Sequence, residues 1–153
     1  MTPLAPPRSP HRRGNALIEF ALTFAVFFPL MTGTFQFGYC FFTYNQLKNA
    51  VREGARYASL LTYDSSSSTY SSAFGSAVRN MVVYGSPAGG STPSVPRLTT
   101  ANVSLAVTFG SGVPKRITVS ITNYSLPAAF TTFVMNKPSC TFPYTGRYAP
   151  AGM

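Results

Sequence analysis

The run from Ala16 to Phe42, ALIEFALTFAVFFPLMTGTFQFGYCFF, constrains this chain more than any other stretch of it. Its only strongly polar side chains are Glu19 and Gln36. A helix rises about 1.5 Å per residue and a bilayer core takes about 20 helical residues, so the run crosses with length to spare. A membrane-spanning helix is the expected structure. A cleaved secretory signal fits poorly, because its apolar stretch is only about 7–15 residues and ends at a small-x-small site. This run is longer, and no such site follows it. A lipoprotein site at Phe37 to Cys40 also fails, since Tyr39 stands where a small residue is needed. The helix is therefore expected to remain in the mature protein.

The flanks read differently. Met1 to Gly14 is rich in Pro and Arg and buries too little apolar surface to order itself. Beyond Phe42, Leu47, Ala50, Val51, Gly54, Ala58 and Leu61 recur at three- and four-residue steps, so the helix continues in a wetter form with one apolar face. Gly54 costs about 1 kcal/mol relative to Ala in a helix interior, which points to close packing against another segment. Tyr63 to Thr69 (YDSSSST) reads as a polar linker. Ser71 or Ser72 then caps a short helix carrying Phe74, Val78 and Val82, which ends at Gly85. Ser86 to Pro96 is a second linker.

After it the apolar period changes to two. Val103, Leu105, Val107 and Phe109, then Ile117, Val119 and Ile121, predict a β-hairpin around a loop at Gly110 to Pro114. Ser139 to Thr145 adds an edge strand, where Pro143 is tolerated. Tyr124 to Met135 reads as an apolar loop. Its Phe130, Phe133, Val134 and Met135 either cap the small core or form an exposed contact patch. The expected fold class is α+β: a long N-terminal helix followed by a small antiparallel β-sheet domain packed on the helix. The expected segments are a basic leader at 1–14, the transmembrane and amphipathic helix at 15–62, and a small α+β domain at 63–153.

Charge and inventory exclude several functions. Lys and Arg number 12 against 3 Asp and Glu, but the basic residues are dispersed without a block of like charge. Lipid head-group contacts are then the better account, and no specific nucleic-acid partner is expected. The single histidine, His11, lies in the leader, and after Glu19 the acids are Glu53 and Asp64. A Ser-His-Asp set, a carboxylate pair, a His/Cys metal cluster and a phosphate loop each lack components. The expectation is a protein without catalysis, cofactor or metal. Cys40 and Cys140 are expected to be reduced thiols, with Cys140 able to pair with another chain if it lies outside the cytoplasm.

Glu19 is the residue that asks for an explanation. A carboxylate at the centre of a bilayer costs about 2.5–3.5 kcal/mol on insertion scales, and less near the end of a span. It can snorkel to the head groups. Its spacing supplies a second reading: a cut after Gly14 makes Asn15 the first residue, with a free amine, and Glu19 the fifth. A carboxylate there can pair with the new amine of an adjacent subunit and set axial register.

The stretch RRGNALIEF, a basic leader ending in Gly, four residues, Glu19 and then Phe20, resembles the leaders of type IV prepilins. The wider stretch, with Pro29, Phe37, Gly38, Tyr44, Leu47, Ala50 and Arg52 to Ala58 (REGARYA), is similar to the TadE/TadG-like minor pilins, or pseudopilins, of the tight-adherence (Flp) pilus system. The likeness is specific from Gly14 to Ala58 and loose beyond. It implies cleavage between Gly14 and Asn15 by a prepilin peptidase, with Glu19 and Phe20 serving processing and assembly. It also implies partners among other pilins, pseudopilins and Tad assembly-platform proteins, besides membrane lipid. Ala21 and Ala25 make a small-xxx-small pair, as do Thr34 and Gly38, and Pro29 is expected to kink the helix.

Basic residues alone do not orient the helix, because Arg8, Arg12 and Arg13 face Lys48, Arg52 and Arg56. The resemblance breaks the tie. It implies a single-pass protein of the bacterial inner membrane, with a cytoplasmic N-terminus, a C-terminal domain outside and possible incorporation into the pilus. The competing expectation is a permanently anchored envelope protein whose small domain binds another extracytoplasmic partner.

Overall fold

The computed structural model describes residues 11–128 and 131–150, with side chains from Gly14 onward. The first ten residues of the expected leader, and Phe130, lie outside the described residues. Two helices and five strands follow in order: α1 (His11–Leu60), α2 (Ser72–Tyr84), β1 (Val103–Gly110), β2 (Val113–Ile121), β3 (Tyr124–Pro127), β4 (Thr132–Met135) and β5 (Ser139–Pro143). The class is α+β, a long N-terminal apolar helix followed by a small antiparallel β domain. The chain divides into two compact units, one up to Gly38 and one from Tyr39 on.

The first unit is helical and its large apolar side chains face outward. The backbone stays helical through Pro29. The Thr34 hydroxyl donates to the Leu30 carbonyl at 3.0 Å, so this polar group is satisfied within the helix and suits an apolar medium. Phe20, Phe24 and Phe28 stack one turn apart, with ring centroids 6.0 and 5.3 Å apart.

In the second unit, Leu47, Ala50, Val51, Ala55 and Ala58 bury one face of α1. Thr43 is also buried, and its hydroxyl is satisfied by the Tyr39 carbonyl at 2.9 Å. The start of α2 is capped by Ser71, whose Oγ accepts from the Phe74 N–H at 3.1 Å. It ends at Gly85, whose φ of 70° is the left-handed geometry that glycine adopts without cost. Its buried residues are Phe74, Gly75, Val78, Val82 and Val83.

The larger sheet has the order β1-β2-β5, all antiparallel. Val103, Leu105 and Val107 lie opposite Ile121, Val119 and Ile117 on the buried face. Cys140 and Phe142 of the edge strand join that face opposite Val119 and Ile117. On the other face Thr118 and Thr141 share a hydrogen bond at 2.8 Å. The turn is tighter than the expected five-residue loop. Ser111 and Gly112, at φ 56° and 79°, connect the strands alone, and both central residues being left-handed matches the twist of a hairpin. Pro114 belongs to β2, where a register shift beside Phe109 accommodates it.

Two further expectations are corrected. Tyr124 to Met135 is a second antiparallel hairpin, in which Tyr124, Ser125, Leu126 and Pro127 face Met135, Val134, Phe133 and Thr132. Pro127 and the lack of clean alternation in β4 hid it, yet β3 alternates buried and exposed like any half-buried strand. Tyr63 belongs to the core rather than to a polar linker. It is fully buried and forms an isolated parallel bridge with Tyr148.

Candidate functional site

Gly14 and Asn15 lie in the first turns of α1, and Asn15 and Glu19 are one helical turn apart on the same face. Four residues of rise separate them by about 6 Å along the axis. Glu19 and Phe20 are exposed, as are Ala21, Ala25 and Pro29, which follow at four-residue steps along one side. The phenylalanine ladder from Phe20 runs along the neighbouring side. At Gly38 an added Cβ would meet no atom within 4 Å. The unit thus presents a stripe of small side chains beside a ridge of rings, with one carboxylate near its start. Among its described residues that carboxylate, Glu19, is the single acid.

Gly54 lies elsewhere, in the second unit. A methyl there would overlap Val82 Cγ2 of α2, so the glycine sets how closely the two helices approach. Beside this contact is a shallow cleft of about 190 Å³, whose polar lining comes from Gln46, Asn49, Glu53 and Ser94. These side chains do not form a nucleophile–base pair. Among the described residues, no three of His, Cys, Asp and Glu are grouped to hold a metal ion.

Sequence reasoning missed the tyrosines that close the domain. The Tyr63 ring packs against Phe74 (5.2 Å), Phe109 (5.7 Å), Tyr144 (6.2 Å) and Tyr148 (6.5 Å). The Tyr144 oxygen accepts from the Tyr63 N–H at 3.0 Å and lies 2.9 and 2.7 Å from the Leu61 and Arg147 carbonyls. Burial raises the Tyr63 phenol above its ordinary value, with the Asp64 charge adding to the effect. Tyr124 and Tyr144 are raised by burial as well. The available signal was the spacing of Tyr144 and Tyr148, which looked like composition rather than pattern.

Among the described residues one helix is long and apolar enough to cross a membrane, and it leads into a small α+β unit, the plan of a single-pass anchored protein. Residues 14–56 match the family model described as TadE-like protein, so over that stretch the chain is similar to that family. The match is consistent with a TadE/TadG-like pilin of the Tad system. No curated protein matches the chain, and no solved structure does.

Proposed function

We propose that this protein is a non-enzymatic minor pilin, or pseudopilin, of a Tad (Flp) pilus or secretion apparatus. A prepilin peptidase cuts it after Gly14, and the helix beginning at Asn15 then assembles with other pilins on the Tad platform. The observation that carries the reading is the TadE-like match, which begins at Gly14 and takes in Glu19 and Gly54. The new Asn15 amine of one subunit pairs with Glu19 of the next. In low dielectric that attraction outweighs what it is worth in water, and the one-turn spacing converts it into a fixed axial offset between neighbours. Everything after Phe42 then lies on the extracytoplasmic side of the inner membrane.

The mass of the mature N-terminus tests this. In cells containing the peptidase, the wild type is expected to begin at Asn15 and Gly14→Leu to retain the leader. Glu19→Ala is expected to be anchored yet absent from assembled material. A wild-type chain that keeps its leader and works unaltered as Glu19→Ala would instead be a permanently anchored envelope protein.

A further inference from the structure

The cleft beside the Gly54–Val82 contact is negative. Gln46, Asn49 and Glu53 line it from one side of α1, at three- and four-residue steps. Met81 and Val82 give it apolar lining, and Gly85, where α2 stops, also borders it. A helix C-terminus carries about half a negative charge, and no basic residue in the last turn of α2 offsets it. Glu53 adds a full charge. It is exposed, and among the described residues no ion pair engages it, Arg56 three residues on included. Asp64, the other acid of this unit, keeps its Oδ1 buried.

The same helix carries the opposite charge on another side. Lys48, Arg52 and Arg56 follow at four-residue steps and are all exposed, so they form one basic ridge. Arg52 and Glu53 are consecutive, about 100° apart around the axis. Ridge and cleft therefore share a level on α1 and face different directions. Complementary patches of that kind join unlike surfaces of successive copies, so the contact repeats from each copy to the next. Copies with parallel α1 helices bring the two patches to one height, and parallel is how subunits anchored through the same helix stand in a membrane.

We propose that the Glu53 cleft receives the Lys48–Arg52–Arg56 ridge of a neighbouring copy of this chain. The Arg52 head meets the Glu53 carboxylate while its methylene stem covers Met81 and Val82. This rests on the pilin reading, in which α1 helices pack side by side, and adds to the Asn15–Glu19 pair a second contact beyond Phe42.

Carbodiimide coupling, which joins a carboxylate to a lysine amine as an amide with loss of water, tests it on the full chain in phosphatidylcholine vesicles. The acids are Glu19, Glu53 and Asp64 and the lysines Lys48, Lys115 and Lys137, so the linked peptides are few and assignable. Heavy-isotope and ordinary copies are mixed before reconstitution. A Glu53–Lys48 link that joins a heavy peptide to an ordinary one is expected, and it is expected to fade as salt rises from about 0.01 to 0.15 M. The double variant Arg52→Glu/Arg56→Glu is expected to lose the mixed link. Adding Glu53→Arg copies, whose ridge is native, is expected to restore it, with the carboxylate from the first variant and the amine from the second. Links that never mix isotopes overturn the proposal, as do mixed links that ignore salt. Mixed links from Glu53 to Lys115 or Lys137 assign the cleft to a different surface and overturn it too. A chain that begins at Asn15 yet gives no mixed link overturns this contact and leaves the pilin reading intact, whereas a chain that keeps its leader and gives the link does the reverse.

Discussion

At Gly54 two residue-scale effects oppose one another. Replacing it by Ala gains about 1 kcal/mol of helix propensity, whereas forcing a methyl into a packed contact costs about 1–3 kcal/mol. Val82 is β-branched and stiff in its helix, so it yields little. Gly54→Ala is therefore expected to destabilise the second unit in urea unfolding, and Val82→Ala in the same chain is expected to recover part of the loss. The buried tyrosines give a pH signature. Their folded-state pKa lies above the ordinary value near 10, so the stability they contribute is full below that value and lost as pH rises through the folded one. Alkaline unfolding is expected to begin above pH about 10, with tyrosinate absorbance rising together with the loss of circular dichroism. Titration of all nine tyrosines in the folded chain would contradict it.

At the scale of elements, local chemistry sets the ends. Ser71→Ala removes the acceptor that caps α2 and is expected to cost about 1 kcal/mol in unfolding free energy. Ser111 carries a left-handed backbone that Asn tolerates better, so Ser111→Asn is expected to raise the unfolding midpoint. Such features were open to reading in advance. Ser71 and Gly85 bracket α2 because caps are local, and β1 and β2 announced themselves by strict alternation. The β3–β4 hairpin did not, because β4 exposes Thr132, Phe133 and Val134 in succession and so shows no period. Tyr63 was hidden for another reason. Its burial depends on residues more than eighty positions away, and no window of sequence contains both partners. The candidate site divides the same way. Gly14, Glu19 and the small stripe lie within one helix and could be picked out by spacing, while Val82, the partner of Gly54, became visible only in the fold.

For the molecule as a whole, the stretch from Tyr144 to Tyr148 is a structural member. Gly146 lies so close to the Leu60 and Leu61 backbone that a side chain there would collide with it, and the Tyr63 N–H donates to the Arg147 carbonyl at 2.9 Å. Ending the chain after Pro143 would strip Tyr144 and Tyr148 from the Tyr63 ring. Losing aromatic packing of that kind costs about 3–5 kcal/mol, against a total of about 5–15 kcal/mol for a small domain. The shortened chain is expected to be cut rapidly by protease at concentrations that leave the full chain whole. A timetable follows from the Tyr63–Tyr148 bridge. While a ribosome or translocation channel still encloses Tyr148, the first strand-like contact after α1 has no mate, so the domain matures only once that stretch has emerged.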